Sequence, residues 1–186
     1  MTNAIEMHQI TKAFDGIPVL RGVDFQVATG SIHALLGENG TGKSTLMNIL
    51  CGLKPRDGGE IRVDGAVIEP MRHAPKIAFV HQELSLVNDL PIYQNLFLGH
   101  ELSHRGVLAI PEMIAKTQRI MQQMALNLDP WLMVRDLNPA LKQMIEIARG
   151  LNAQARIIIM DEPTAALDDT EIQQLFKVMH TLQAQG

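Results

Sequence analysis

Eight residues, Gly37-Glu38-Asn39-Gly40-Thr41-Gly42-Lys43-Ser44, constrain the chain more than any other stretch, because they fit G-x-x-x-x-G-K-S in full. Glycines at this spacing let successive backbone N–H groups converge into an anion-binding nest. Ile32, Ala34 and Leu36 alternate before the loop and predict a strand, and a helix is expected behind it from Lys43 to Leu53. That order sets a helix N-terminus, with its positive dipole end, against the nest. Lys43 is then placed to reach the β- and γ-phosphates of a nucleotide, and the Ser44 hydroxyl to bind Mg2+. A glycine turn with a chance lysine would not bring strand, loop and helix together in sequence. The nucleotide-binding stretch is read as Gly37, Glu38, Asn39, Gly40, Thr41, Gly42, Lys43, Ser44 and Thr45.

A second signal lies far downstream. Arg156-Ile157-Ile158-Ile159-Met160-Asp161-Glu162 is an apolar run ending in two carboxylates. It reads as a buried strand whose end carries acid. Phosphoryl-transfer sites built on such a loop need an Asp there to hold Mg2+. A neighbouring carboxylate can polarise the attacking water as a general base. Asp161 is therefore assigned to the metal and Glu162 to the water.

The remainder organises around these two signals. Val23, Phe25 and Val27 alternate as a strand, and Thr29-Gly30 turns the chain into the run before the loop. Gly58-Gly59 is read as a turn before a strand at Ile61-Val63, and Ile77 to Val80 as a buried strand. From Pro91 strand patterns give way to helical spacing. Pro111 suits a first helical position ahead of Ile114, Ile120, Met121 and Met124, and Met144, Ile145, Ala148 and Leu151 mark another helix. Thr170 to Gln185 is a final helix closed by Gly186. The expected fold is α/β: residues 1–90 and 155–186 form the nucleotide-binding core of one domain spanning 1–186, and residues 91–154 are a helical insert. The 186-residue chain has a net charge of −4, which gives no reason to expect nucleic acid. Its single cysteine, Cys51, reads as a buried small hydrophobe in a reducing setting. No apolar run is long enough to span a membrane, so a membrane role would come through a partner.

The run Asp161-Glu162-Pro163-Thr164-Ala165-Ala166-Leu167-Asp168 resembles the ABC ATPases, where it joins the Walker B strand to the D-loop that meets an opposing domain. The resemblance implies a P-loop NTPase fold with a RecA-like sheet, an N-terminal antiparallel portion and a helical subdomain. It also implies that Phe14 stacks on adenine, and that Gln82 occupies the Q-loop, meeting Mg2+ and sensing a membrane subunit. The strings His81-Gln82-Glu83-Leu84-Ser85-Leu86, Asn95-Leu96-Phe97-Leu98-Gly99 and Gln143-Met144-Ile145-Glu146-Ile147-Ala148-Arg149 look like the ribose, galactose and xylose importer ATPases, in their first half. Implied with them are ATP and Mg2+ as ligands, a second ABC domain face to face, a membrane permease, and indirectly a periplasmic or extracellular sugar-binding protein. The implied place is the cytoplasmic face of the membrane.

Two departures stand against that pattern. Where the family writes L-S-G-G-Q, this chain has Leu137-Asn138-Pro139-Ala140-Leu141. Asn138 can still donate a hydrogen bond, Pro139 lacks an N–H, and Ala140 is expected to put a methyl where backbone should approach the facing domain's nucleotide. The family also continues past the final helix to a strand and a switch histidine. His180 lies within the final helix and is not that residue. The domain is therefore expected to lack its C-terminal part, with unpaired backbone beside the phosphate-loop strand and weak or absent turnover by the chain alone. The alternatives are an ATP-binding half-site with little or no turnover, and a non-transport ABC ATPase acting on DNA or ribosomes. His100-Glu101-Leu102-Ser103-His104 also fits the H-E-x-x-H zinc pattern. Gly99 and Gly106 flank it closely, so a surface loop is expected instead of a metal-bearing helix.

Overall fold

The computed structural model describes residues 2–38, 40–69, 76–81, 85–165 and 167–185. They divide into two compact units, Met1–Ile77 and Ala78–Gln185. The helical stretch thus shares its unit with the two strands and the helix that flank it in sequence.

The first unit is built on a hairpin. Asp15 and Gly16 both have positive φ (48° and 80°), which suits a two-residue turn whose twist matches the strands on either side. It joins β1 (Asn3–Phe14) to β2 (Ile17–Ala28). With β3 (Gly58–Val63) and β4 (Ala66–Val67) they form an antiparallel sheet in the order β2-β1-β3-β4. Ile5 and Met7 of β1 face the core, and so does Ile10, out of step by one residue. A bulge accounts for the change of phase. Gln9 has φ 50°, and its N–H donates to Asp24 Oδ1 at 2.8 Å instead of to the ladder.

Gly58 and Gly59 open β3 and are not a separate turn. Gly59 (φ 91°) passes so near the bulge that a Cβ would lie 2.5 Å from the carbonyl oxygens of His8 and Gln9. The close approach explains the glycine. Helix α1 covers Lys43–Leu50, shorter than expected; Cys51 caps it and Gly52 follows at φ 73°, a left-handed exit that side-chain-bearing residues avoid. The strand expected at Ile32–Leu36 is absent. No strand among the described residues pairs with it, a lone extended segment has no ladder to join, and Leu36 is 88% exposed.

At the start of the second unit β5 (Ile77–Val80) pairs with β8 (Ile157–Met160), and between them in sequence lies a short hairpin of β6 (Ser103–His104) and β7 (Val107–Leu108). β5 and β8 both read as buried in the sequence. Only Val80 is, and β8 is half-buried throughout, with β5 its one neighbour among the described strands. The core lies among the helices α2 (Ile92–Phe97), α3 (Ile110–Gln123), α4 (Pro139–Asn152) and α5 (Asp169–Gln183). Met113, Met121, Met124 and Met144 are buried filler within it, as expected. Asn95 is wholly buried, and its amide bonds to Val87, Leu90 and Pro91, pinning the segment that enters α2. A capping box of Asp168 and Glu171 starts α5; Gly186 lies outside the described residues. Among the described residues no helix is long and apolar enough to cross a membrane.

Candidate functional site

The phosphate loop belongs to the first unit. Gly42 is the N-cap of α1, at φ 94°, and a Cβ there would come within 2.8 Å of Leu20 Cδ2 and 3.3 Å of Val19 Cγ1. Conformation and packing against β2 both require the glycine. Gly40 also has positive φ (82°). Thr41 closes the loop on itself, its hydroxyl donating to the Glu38 carbonyl at 2.9 Å. The Lys43 side chain turns back over the loop and donates to the carbonyls of Gly37 (2.6 Å) and Glu38 (2.7 Å). Asn39 lies outside the described residues.

Three observations test whether these residues fit a phosphate. No side chain caps the N-terminus of α1, and no acidic residue occupies its first turn. The leading N–H groups of a helix have no partners within it. Lys43 spends its charge on neutral carbonyls, and no carboxylate pairs with it among the described residues. A cation, a dipole end and free N–H donors without a counter-charge together suit a polyanion. Ser44 follows on the exposed first turn, and Thr45 is half-buried beside it. A hydroxyl at that place suits a hard cation such as Mg2+.

Phe14 ends β1 in the same unit and is 36% exposed. Lys54 Nζ lies 4.9 Å from its ring centroid and Lys12 Nζ 5.5 Å. Lys12 is held by Asp57 at 2.7 Å, and Asp57 also accepts from the Ala13 N–H at 2.7 Å. The Lys12 hydrogen bond, helped by that N–H, keeps the Asp57 carboxyl below its ordinary range. The ring is thus an exposed aromatic face bracketed by two cations. Sequence reading passed over Asp57, whose partners lie more than 40 residues away.

The acidic pair belongs to the second unit. Asp161 N–H donates to the Val80 carbonyl at 3.1 Å, carrying the β5–β8 pairing one residue past the strand. Glu162 is exposed and has φ 45°. A side-chain-bearing residue in the left-handed region is a costly conformation that clusters at functional sites. Here it turns the chain sharply off β8, and Ala165 N–H closes the turn on the Glu162 carbonyl at 3.2 Å. Among the described residues neither carboxylate forms an ion pair. Both are thus available to a metal or a water. Gln82 lies outside the described residues.

At the run expected to face a second domain, the Asn138 carbonyl oxygen Oδ1 accepts from Leu141 N–H at 2.8 Å and caps α4. That leaves the amide NH2 as the donor. Pro139 is exposed at the first turn, whereas Ala140 is fully buried in the core. The methyl expected to obstruct that face points inward instead. The H-E-x-x-H stretch is no helix either. Ser103–His104 pairs with Val107–Leu108 as a short hairpin, and His104 Nε2 meets Glu112 at 2.8 Å. No cluster able to hold a metal by His, Cys, Asp or Glu occurs among the described residues. Trp131, expected as packing, sets its ring against the buried Tyr93 (4.8 Å between centroids) but stays 53% exposed.

One cluster escaped the sequence reading altogether. Glu146, 4% exposed on α4, accepts from Ser85 N–H (2.8 Å) and Ser85 Oγ (3.1 Å) and pairs with Arg149 (2.6 Å). The available signal was a lone carboxylate among Ile145, Ile147 and Ala148, which are all buried. A charge on such a face must be paired.

Residues 20–165 match the family model described as ABC transporter. The chain is 44% identical, over 98% of its length, to a ribose import ATP-binding protein of Bacillus cereus, and it spans 38% of that protein. It is 43% identical, over its whole length, to a putative ribose/galactose/methyl galactoside import ATP-binding protein of Albidiferax ferrireducens, again spanning 38%. Among solved structures it superposes on the ADP conformation of an ATP-binding cassette of an ABC transporter, with a TM-score of 0.87, 24% identity, all of this chain covered and 79% of the other. The fold is therefore that of the P-loop ATP-binding cassettes, α/β with an antiparallel N-terminal sheet. With the family model covering most of its length, the chain belongs to the ABC transporter family.

Proposed function

We propose that the chain binds ATP with Mg2+ and contributes to ATP hydrolysis that powers uptake of a sugar through a membrane importer. The observation that carries this reading is the positive end of α1, with Lys43 folded over the loop and no carboxylate paired with it among the described residues. The names of the relatives favour a sugar of the ribose or galactose kind.

In this reading the Lys43 ammonium leaves the carbonyls of Gly37 and Glu38 for the β- and γ-phosphates. The loop from Gly37 to Thr45, with Glu38, Asn39, Gly40, Thr41 and Gly42 in it, lines the triphosphate with N–H donors. Phe14 offers its exposed face to the adenine, and Lys12 and Lys54 beside it add positive charge. Bound Mg2+ neutralises charge that develops on the phosphate oxygens. Ser44, Asp161 and Gln82 are the residues to hold it. Glu162 orients water in line with the γ-phosphorus and takes its proton. Its turned backbone fixes where that carboxylate stands. Residues 91–154 act as the helical subdomain of a single domain, passing closure against a second ABC domain to a permease on the cytoplasmic face of the membrane. A sugar-binding protein delivers the cargo from outside.

A second reading has support of its own. Asn138 keeps Oδ1 for its own helix, and Pro139 offers no N–H on the exposed first turn. Both weaken what this face can give to a partner's nucleotide, so the chain serves as a half-site that holds ATP and relies on its partner for completion. Single-turnover hydrolysis of radiolabelled ATP, with Glu162→Gln as control, separates the two. Release of phosphate that falls about 10²- to 10⁴-fold in the variant supports hydrolysis at this site. Binding with equal, negligible release from both proteins rejects hydrolysis here in favour of the half-site.

A further inference from the structure

We propose that Asp57 and Lys12 are positioning residues for the base of the nucleotide, holding the Phe14 ring in place relative to the phosphate loop. The inference rests on the ATP reading above and goes beyond it by assigning a role to an ion pair that no motif specifies.

Asp57 holds the end of β1 at Thr11, Lys12 and Ala13 in turn. Its N–H donates to the Thr11 carbonyl at 2.9 Å. Its carboxylate accepts from Lys12 Nζ at 2.7 Å and from Ala13 N–H at 2.7 Å. The ladder between β1 and β3 ends at the pair Thr11 and Gly58, so past that point the carboxylate stands in for a neighbouring strand. Phe14 is the next residue. Lys12 Nζ also lies 5.5 Å from the Phe14 ring centroid, within reach of the ring's negative face. The Lys12 side chain is only 10% exposed. A cation so covered needs a partner, and the ammonium that meets Asp57 is the one that rests against the ring. Charged bonds of this kind fix direction as well as distance.

The hold reaches the phosphate loop through β2, inside the first unit. Phe14 faces Ile17 and Lys12 faces Leu20 across the β1–β2 ladder. Val19 and Leu20 are the surface on which the loop's Gly42 sits, so closely that a Cβ there would come within 2.8 Å of Leu20 Cδ2. Ring and loop are thus seated on the same short stretch of β2. Lys54, the second cation at the ring, enters from the exit of α1, where its N–H donates to the Asn48 carbonyl at 3.2 Å. A base stacked on an aromatic ring gains about 5- to 150-fold in affinity. The gain is largest where ring and phosphate donors are already held in register before the nucleotide arrives.

The test measures the affinity of the purified chain for ATP and for inorganic tripolyphosphate, both with Mg2+. Tripolyphosphate carries the phosphates without the base, so the ratio of the two affinities reads the gain from the base. Phe14→Ala should lower that ratio about 5- to 150-fold. Asp57→Asn turns an NH2 donor toward either the Lys12 ammonium or the Ala13 N–H, both donors themselves. It should lower the ratio about fivefold or more, while tripolyphosphate affinity holds or rises because a negative charge has gone. If Asp57→Asn does not fold, Lys12→Met decides by the same ratio, since it leaves the Ala13 bond in place. An unchanged ratio in a folded variant, with Phe14→Ala lowering it, overturns the inference and leaves the ATP reading intact. A ratio that Phe14→Ala does not move removes the platform and overturns the inference with it. A parent that binds neither ligand overturns the ATP reading and this inference together.

Discussion

Replacing Asn95 by Ala should destabilise the chain by about 3 kcal/mol. Its amide is wholly buried. Oδ1 accepts from Val87 N–H at 2.8 Å, and Nδ2 faces the carbonyls of Val87 (3.1 Å), Leu90 (3.1 Å) and Pro91 (3.3 Å). An amide nitrogen has two hydrogens, so two of those three carbonyls are served fully at once. Alanine therefore removes about three hydrogen bonds, each worth about 1 kcal/mol net, and strands the Val87 N–H and its neighbours in a dry site. For a chain of this size each kcal/mol lowers Tm by about 2–4 °C, giving a fall of about 6–12 °C. Scanning calorimetry of parent and variant reads it directly. Gln94→Ala is the control next door: its side chain makes one bond, to the Tyr93 hydroxyl at 3.1 Å, and should cost about 1 kcal/mol or less. A fall of under about 2 °C for Asn95→Ala would refute the reasoning, because the pinned segment would then be holding itself without the amide.

Two further predictions concern titration. Burial of Cys51 at the end of α1 pushes its thiol up to about 12. The folded chain should react with iodoacetamide at pH 8.5 far more slowly than the urea-unfolded chain, whose thiol ionises near its ordinary value of about 8.5. Because the folded state holds its proton longer, the contribution of Cys51 to stability is complete below that ordinary value and fades as pH rises toward 12. Asp57 behaves in the opposite sense. Its carboxyl is held down by Lys12 and Ala13, so its contribution is present above the ordinary carboxylate range and fades as pH falls below it. Asp57→Asn should flatten the acid limb of the Tm–pH curve, and an NMR titration of the parent that places this carboxyl at or above its ordinary value would reject the assignment.

Sequence carried the site further than it carried the sheet. The loop from Gly37 to Ser44 was legible as a candidate because phosphate binding needs glycine conformations, an N-terminus and a lysine in consecutive positions, and the positive φ of Gly40 and Gly42 and the helix start at Lys43 follow that local pattern. The strand that carries the two carboxylates at its end, Ile157–Met160, was legible in the same local way. The strand expected at Ile32–Leu36 shows the limit: alternation reports a side-chain pattern, whereas a ladder needs a neighbour. Gly59 was read as a turn because its reason, the β1 bulge pressed against it, lies about 50 residues away. Two local signals went unused. Asp15-Gly16 marks the hairpin between β1 and β2, and Asp168 with Glu171 marks the start of α5. Ser85, Glu146 and Arg149 were out of reach, being brought together across more than 60 residues by helix packing that no short spacing encodes.

The central claim is that Lys43 and the open end of α1 form a triphosphate site. Isothermal titration of ATP and Mg2+ into the purified chain, beside Lys43→Ala, tests it most directly. A bond from an ammonium to a charged phosphate is worth about 1.5–3 kcal/mol, so the account predicts binding by the parent and affinity about 10- to 150-fold weaker in the variant. Equal affinity in the two proteins would contradict it, because the nucleotide would then be held somewhere other than this loop.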